Sequence, residues 1–469
     1  MASTPPPTKV GFISLGCPKN LVDSEVMMGQ LARHGFEITP QAEDADVLVV
    51  NTCSFIEPAR QESVDTILEM AAHKKTGKAR RLVVAGCLVE RYREQIRAEI
   101  PEVDAVIGTN EIEQIVAAVA PAAAPAATAN PAAALLPVLP ADFFDPRPSA
   151  PYLYDDLTPR LLATPRHTAY IKIAEGCDHP CSFCVIPQFR GRFRSRRFES
   201  VVAEARRLAT AGTREIVLIG QDTTCYGEDL GLRHGLAQLL ASLAEIDELA
   251  WIRALYFYPN KVTPQLLEAI AAHPRLCKYV DMPLQHASPA VLKRMKRGGG
   301  AEIFLRLIER IRRTIPGVSL RTSMIVGFPG ETEADFDLLC DFVREAQFDW
   351  LGVFAYSDEE TGAAYHLDGK VPGRVIAARR RRLLALQRQI SRRRRRAQVG
   401  QRLPALLEGP ADESDLLWQG RLESQAPEID GKILINEFAA DAAPPAGSIG
   451  TVEITAAHDY DLVATWLAE

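Results

Sequence analysis

Short apolar runs alternate with helical patterns along most of this chain, and that alternation limits the folds open to it. In the first part, runs rich in Val, Ile and Leu are typical of buried strands at Lys9–Leu15, Asp46–Val50 and Arg81–Ala85. Helical patterns separate these runs, and strand–helix–strand alternation predicts a parallel sheet with right-handed crossovers. We therefore predict an α/β fold whose N-terminal domain, residues 8–118, contains a parallel sheet.

A second and longer series of the same kind begins near residue 163. Six apolar runs separated by helical patterns predict a partial, TIM-like (βα)6 barrel over residues 163–397, which ends in an arginine-rich helix. The six runs are Tyr170–Ala174, Glu215–Gly220, Ile252–Tyr256, Tyr279–Met282, Ser319–Val326 and Trp350–Phe354.

The two remaining segments differ in composition. Residues 119–150 are dominated by Ala and Pro without periodicity, which indicates a linker. Residues 398–469 contain short strand-like runs separated by Gly and Pro, which predict a small antiparallel β-barrel. The 469-residue chain is thus predicted to contain three folded domains and one linker.

Composition excludes several classes of protein. No apolar run approaches the roughly 20 residues that span a bilayer, and the N-terminus lacks the basic and apolar regions of a signal peptide. We therefore expect a cytoplasmic protein with no membrane partner. Nine cysteines in 469 residues are too few for a disulfide scaffold. In a reducing compartment, clustered thiols indicate metal ligands or catalytic groups.

Three cysteines lie within eight residues, in the sequence Glu-Gly-Cys-Asp-His-Pro-Cys-Ser-Phe-Cys. We call Cys177, Cys181 and Cys184 the loop triad. Their C-x3-C-x2-C spacing supplies three thiolates just after the first barrel strand, where barrel active sites are built. Compact thiolates favour an iron–sulfur cluster, and three ligands leave one iron of a four-iron cluster open. The alternatives are buried structural thiols, or a zinc site with His179 as the fourth ligand.

Three further cysteines are distant in sequence, yet each follows a predicted strand of the N-terminal sheet. We call Cys17, Cys53 and Cys87 the edge triad. The carboxyl ends of parallel strands share one edge, which is where such sheets bind ligands. This topology predicts a second three-thiolate site. The alternative for each cysteine is a small buried residue of the core.

The loop triad after the first strand of a βα barrel resembles the radical S-adenosylmethionine (SAM) superfamily. In that superfamily the open iron binds the amino and carboxylate groups of SAM, and one electron from the cluster cleaves SAM to a 5′-deoxyadenosyl radical. The resemblance implies SAM contacts near strand ends. The residues at matching positions are Gln221, Asp222, Arg294, Ile325 and Gly327.

The N-terminal motifs narrow this resemblance. Ser-Leu-Gly-Cys-Pro-Lys-Asn-Leu-Val-Asp-Ser-Glu, Val-Asn-Thr-Cys and Ala-Gly-Cys-Leu, which contain the edge triad, are similar to the methylthiotransferase family. Its members carry a second cluster that delivers sulfur, and they end in a small β domain called TRAM. Gly-Cys-Pro-Lys-Asn and the loop-triad sequence resemble the RimO type. The resemblance implies two 4Fe-4S clusters, SAM, an external electron donor, and methylthiolation of the β-carbon of an aspartate in small-subunit ribosomal protein S-twelve.

Charge favours a basic protein over a nucleic acid as the partner. Residues 401–469 contain three Lys and Arg side chains against 13 Asp and Glu, a net charge of −10. Such a domain would repel RNA and attract a basic ribosomal protein, free or within the ribosome, so tRNA is not expected as a partner. The run Arg392–Arg396 opposes this reasoning, since it could contact ribosomal RNA or form a solvated helix end.

Two alternatives to the predicted function stay open at this point. The first is a tRNA adenosine methylthiotransferase, which would share both triads and the same domain order. The second is a non-catalytic iron–sulfur protein that senses redox state or serves as a scaffold.

Overall fold

The computed structural model describes residues 7–120, 152–440 and 442–467. The chain divides into two compact units, Met1–Leu161 and Leu162–Glu469. The predicted linker, residues 119–150, lies outside the described residues except for Val119 and Ala120. Within the described ranges, no helix is both long and apolar enough to cross a membrane.

The N-terminal unit contains the predicted parallel sheet. Its strands are β1 Lys9–Ser14, β2 Glu37–Thr39, β3 Val47–Thr52, β4 Arg81–Gly86 and β5 Ala105–Ile107. Its helices are α1 Pro18–Arg33, α2 Glu57–Thr76, α3 Cys87–Glu99 and α4 Ile115–Val119. All pairs in the order β2-β1-β3-β4-β5 are parallel. The central strands are buried apolar runs, as expected for a sheet covered on both faces.

The second unit begins with the predicted partial barrel. Its strands are β6 Thr168–Lys172, β7 Ala174–Glu175, β8 Arg194–Ser195, β9 Glu215–Ile219, β10 Trp251–Ala254, β11 Tyr279–Asp281, β12 Ser319–Val326 and β13 Trp350–Ala355. Strands β6, β9 and β10 form one parallel sheet, and β11, β12 and β13 form another. A backbone hydrogen bond of 2.8 Å from Phe257 N to Asp281 O joins the two sheets. Six parallel strands therefore follow one another in chain order.

Helices cover the outside of this barrel. They are α5 Ile186–Arg190, α6 Phe198–Thr210, α7 Gly235–Ala244, α8 Pro264–Ala272, α9 Pro289–Arg294, α10 Ala301–Thr314, α11 Glu333–Ala346 and α12 Gly373–Arg396. In α10, Phe304, Leu307, Ile308 and Ile311 are buried, and this spacing places them on one helical face against the core. Helix α11 begins with a capping box, because Thr332 accepts from the backbone N–H of Asp335 and Asp335 accepts from that of Thr332.

The C-terminal segment forms a closed five-stranded barrel, as predicted. Its strands are β14 Arg402–Ala411, β15 Ser414–Leu422, β16 Ile433–Phe438, β17 Ile449–Ala457 and β18 Leu462–Trp466. Their order is β14-β15-β16-β18-β17. Four neighbouring pairs are antiparallel, whereas β16 and β18 are parallel. The parallel pair arises because β17 joins the far side of β18, a Greek-key arrangement like that of an OB-fold.

Buried ion pairs join the small barrel to the amino-terminal end of the large one. Arg421, on β15, lies 2.5 Å from the carboxylate of Glu215, the first residue of β9, and 2.6 Å from that of Glu408. Glu215 also binds Arg253 at 3.0 Å. Burial disfavours the charged form of Glu215, but the two guanidinium groups lower its pKa overall.

The loop between β15 and β16 covers the starts of further barrel strands. Ser424 O accepts from Trp350 Nε1 at 2.9 Å and from Ser319 Oγ at 3.1 Å. The side chain of Asp430 accepts from Tyr279 Oη at 2.6 Å. Trp350, Ser319 and Tyr279 are the first residues of their strands. The C-terminal domain therefore closes the amino-terminal end of the barrel and leaves the carboxyl end for chemistry.

Most of the run Arg392–Arg396 is engaged within its own unit. Arg392 lies 2.6 Å from Asp459, and Arg394 lies 2.6 Å from Asp349. Arg395 is buried, with its guanidinium 4.3 Å from the centre of the Trp350 ring. Arg393 donates to the side chain of Gln347. These contacts fasten α12 to β13 and to the loop before β18.

We expect Asp430 to make stability depend on pH. Burial raises its pKa to about 6, although Arg321 lies 3.6 Å away. Between pH 4 and 6 the folded chain therefore retains a proton that the unfolded chain releases, and stability falls as pH rises, by about 3 kcal/mol in total. Asp430→Asn should remove this contribution. Urea unfolding near pH 4.5 and pH 7.5 measures this effect. The free energy of unfolding of the variant, relative to that of the parent, should be higher at pH 7.5 than at pH 4.5. The same difference at both pH values would contradict the assignment.

Candidate active site

The loop triad lies between β7 and α5, at the carboxyl end of the barrel. Gly176, just before it, has φ +81°, and a Cβ there would come within 2.1 Å of Arg192 O. Cys177 N donates to Gly191 O at 3.2 Å, and Cys184 N donates to Cys181 O at 3.1 Å. Glycine at the start and a tight turn at the end therefore fold three thiols into one short loop.

Burial raises the pKa of Cys177 to about 11 and that of Cys184 to about 12, and the neighbouring thiols add to the effect. A cluster of protonated thiols with no disulfide is suited to a cation, which displaces the protons on binding. Arg297 adds positive charge, because its Nη1 lies 3.5 Å from Cys181 Sγ. The donor set therefore fits an iron–sulfur cluster.

Within this loop, the ring of His179 packs against Tyr258. Their rings stack at 3.7 Å with an interplanar angle of 8°, and the guanidinium of Arg297 lies 4.5 Å from the Tyr258 ring centre. His179 Nε2 lies 2.6 Å from the carboxylate of Asp222. These contacts tie the loop triad to the segment after β9.

Cys225, whose position after a strand end allows it to approach the active site, lies beside His179 and Asp222. His179, Asp222 and Cys225 present ligand atoms within 4.8 Å of one another, a group that could hold a metal ion. Hydrogen bonds already engage these atoms, since Cys225 Sγ donates to Asp222 Oδ2 at 3.1 Å. Burial and the Asp222 carboxylate raise the pKa of Cys225, so its thiol keeps its proton. The hydrogen bond to His179 helps to lower the pKa of Asp222 against the effect of its burial.

Gln221 and Asp222 both lie beside the loop triad. Gln221 Nε2 donates to Glu175 Oε1 at 2.6 Å, and Gln221 Oε1 is buried without a hydrogen-bond partner among the described residues. Burial opposes ionisation of Glu175, but Lys172 at 2.6 Å and Arg190 at 3.4 Å lower its pKa to about 2. An unpaired buried amide oxygen next to a thiol loop is suited to a ligand with a donor group.

The other predicted SAM contacts lie farther along the barrel. The guanidinium of Arg294 donates to Pro329 O at 2.9 Å and to Asp368 O at 2.7 Å, while its backbone oxygen accepts from Ser182 Oγ within the triad loop. Ile325 lies near the end of β12. Gly327 has φ +80°, and a Cβ there would meet the Ile376 side chain of α12 at 2.3 Å. Packing against α12 thus accounts for this glycine.

The edge triad lies at one edge of the N-terminal sheet. Ser14, Asn51 and Ala85 stand opposite one another in β1, β3 and β4, and each triad cysteine follows within three residues. Cys17 caps α1 and Cys87 begins α3. Helix amino-termini favour negative charge, which suits thiolates that bind a metal.

Two glycines give these cysteines room. Gly16 has φ +89°, and a Cβ there would lie 2.7 Å from Cys53 Cβ and 3.0 Å from its sulfur. Gly86, before Cys87, has φ +95°. Ser63 Oγ accepts from Cys53 N at 3.1 Å and donates to Cys53 O at 2.8 Å. Cys53 therefore has a fixed backbone, and its sulfur lies against the turn at Gly16 that leads to Cys17.

Three parts of the chain match known families. Residues 9–108 match the uncharacterized protein family UPF0004, residues 171–343 the radical SAM superfamily, and residues 399–467 the TRAM domain. Among solved structures, the radical SAM methyltransferase TsrM from Kitasatospora setae is similar, with a TM-score of 0.51 and 17% identity over 74% of this chain and 73% of that one. This likeness supports the fold.

The superfamily match covers the thiol loop and most of the barrel, so the chain is a radical SAM enzyme. It is 64% identical to the ribosomal protein uS12 methylthiotransferase RimO of Solibacter usitatus over 98% of this chain and 95% of that one. It is also 60% identical to that of Koribacter versatilis, over 98% and 97%. The chain belongs to the RimO family of methylthiotransferases. Its cofactors are accordingly SAM and 4Fe-4S clusters.

Proposed function

We propose that this enzyme transfers a methylthio group to the β-carbon of an aspartate in ribosomal protein uS12. The relatives with 64% and 60% identity are named as ribosomal protein uS12 methylthiotransferases, and they match almost the whole chain. The observation that carries the proposal is the pair of triads. Each presents three thiols at the carboxyl edge of a parallel sheet, which leaves one coordination position of a four-iron cluster without a cysteine.

Each part of the chain has a role in this proposal. Residues 8–118 form the sulfur-delivering domain, residues 163–397 the radical SAM barrel, residues 398–469 the TRAM domain, and residues 119–150 a linker. When bound, the cofactors supply the carbon radical at the target and the sulfur that joins it. The loop triad would hold one cluster and the edge triad the other.

The protein groups bind and orient SAM. Gln221 Oε1 and the carboxylate of Asp222 are acceptors suited to the amino group of SAM. Arg297, whose Nη1 lies 3.5 Å from Cys181 Sγ, suits the SAM carboxylate. Ile325 and Gly327 would contact the adenine. Arg294, whose guanidinium is paired with the exposed carboxylate of Asp368, would give a polar contact to SAM once it leaves that carboxylate.

The C-terminal domain favours a basic protein as the partner. Each Lys and Arg described within residues 402–467 is paired with a carboxylate: Arg402 with Glu453, Arg421 with Glu215, and Lys432 with Glu413. This part of the domain offers no spare cation for a phosphate group, and phosphate contacts dominate nucleic-acid affinity. We therefore propose that tRNA is not a substrate. Separately, we propose that an external donor supplies the electrons that SAM cleavage needs.

Mass spectrometry of a deletion strain tests the proposed function. We expect uS12 from that strain to lack the mass of one methylthio group on a single aspartate, and bulk tRNA to keep its full set of methylthiolated adenosines. Expression of the intact chain should restore the uS12 modification. Unmodified tRNA with normal uS12 would overturn the proposal in favour of the tRNA enzyme, and no change in either would favour a non-catalytic role.

A further inference from the structure

Two buried asparagines link the segments that carry two cysteines of the edge triad. Asn20 lies in the first turn of α1, and its Nδ2 donates to the carbonyl oxygens of Leu15, Asn51 and Thr52 at 2.6, 3.2 and 3.3 Å. Asn51, in β3, returns the contact, because its Nδ2 donates to Asn20 O at 2.8 Å. Both residues are 1% exposed. We call this reciprocal contact the asparagine bridge.

The bridge acts on the backbone beside the thiols. Thr52, whose carbonyl it binds, directly precedes Cys53, and Leu15 precedes Cys17 by two residues. Asn20 N also donates to Cys17 O at 2.8 Å. The bridge therefore fixes the separation between the end of β1 and the end of β3, which sets the separation of these two cysteines.

The same group of contacts reaches the third cysteine. Thr52 Oγ1 donates to Ala85 O, on β4, at 2.5 Å. The turn at Gly86 packs against Asn51, because a Cβ on Gly86 would lie 2.4 Å from Asn51 Oδ1. This turn leads directly to Cys87, so Asn51 and Thr52 lie beside the backbone that leads to the third thiol as well.

Sheet stability alone does not account for this bridge. The strands already pair through their backbones and bury continuous apolar runs. Burying an amide costs free energy unless all its polar atoms are paired, and Asn51 Oδ1 has no partner among the described residues. The cost is explained if the bridge serves the metal centre.

We propose that Asn20 and Asn51 are positioning residues for the edge-triad cluster. They hold the ends of β1 and β3 at the spacing that the cluster needs, and they thereby control how firmly the cluster is retained and what electronic environment it has. Outer-sphere groups of this kind commonly change metal affinity by about 10- to 100-fold. This inference rests on the proposed assignment of a cluster to the edge triad.

The test uses the full chain with the loop triad replaced by alanine, so that only the edge triad can hold iron. Asn51→Asp removes the Nδ2 donor with little change of shape, and Asn20→Ala breaks the bridge without adding charge. Each should lose iron to a chelator about 10-fold faster than the reference chain and should change the electron paramagnetic resonance spectrum of the reduced cluster. Thermal unfolding of the iron-free chains measures separately how much stability is lost with the buried hydrogen bonds. Asn436→Asp, at an exposed position on β16, is the matched control.

The outcomes separate the two levels of the proposal. A reference chain that binds no iron would refute the cluster assignment itself. A reference chain with normal iron, and bridge variants that match the Asn436→Asp control in iron loss and spectrum, would refute the bridge alone. Bridge variants that unfold without iron but keep the reference spectrum while folded would show a purely structural role, which also overturns the inference.

Discussion

Alanine at all three positions of the loop triad should abolish the release of 5′-deoxyadenosine from SAM, whereas alanine throughout the edge triad should leave that release measurable and abolish methylthiolation of uS12. The reason is that the two triads belong to different units of the chain. The loop triad lies on one barrel loop, while the edge triad ends three strands of another unit. Anaerobically reconstituted protein with reductant, SAM and uS12 allows both products to be measured by liquid chromatography and mass spectrometry.

Iron content provides the internal check on this experiment. If the two sites bind independently, each triple variant should retain about half of the parent's iron. Cys340→Ala is the control, since this cysteine is buried in α11 and belongs to neither triad. It should keep the full iron content and both activities. Equal loss of 5′-deoxyadenosine in both triple variants would contradict the division of labour between the triads.

The sheets and the cysteine positions could be predicted because topology fixes them. Apolar runs of strand length predict the central strands of each sheet, and parallel strands bring their carboxyl ends to one edge. Cys17, Cys53 and Cys87 therefore follow three neighbouring strands at one edge, although the outer two are 70 positions apart in the sequence. Helix α1 begins at Pro18, and proline at the first helical position is the sequence signal for that start.

Side-chain partnerships across the barrel could not be predicted in this way. His179 meets Tyr258 and Asp222 through strands that are far apart in sequence, and no local period encodes such contacts. The partners of the run Arg392–Arg396 could not be predicted for the same reason. A run of like charges usually indicates solvent or a polyanion, but here the partners of Arg394 and Arg392 are single carboxylates contributed by distant loops.

Arg421→Met should destabilise the second unit by about 3–5 kcal/mol, the usual cost of leaving a buried charge without its partner. Arg421 is buried between Glu215 and Glu408, and these carboxylates account for the raised pKa of its guanidinium despite burial. Removing it leaves Glu215 with Arg253 alone. Urea unfolding followed by tryptophan fluorescence measures the loss of stability. Trp350 reports on it because this residue lies where the C-terminal barrel contacts the large barrel, and it donates to Ser424 O.

A second substitution separates the lost charge from lost packing. Glu408→Gln in the Arg421→Met background should recover part of the stability, because Glu408 has lost its ion-pair partner Arg421 and is then neutral, while the buried pair of Glu215 and Arg253 stays intact. Arg402→Ala, which breaks an exposed pair with Glu453, should cost no more than about 1 kcal/mol. A loss in Arg421→Met as small as that in Arg402→Ala would mean that the C-terminal barrel is not held by its buried charges. Its acidic surface would then have to be presented to uS12 by a domain free to move, rather than by one fixed to the closed end of the barrel.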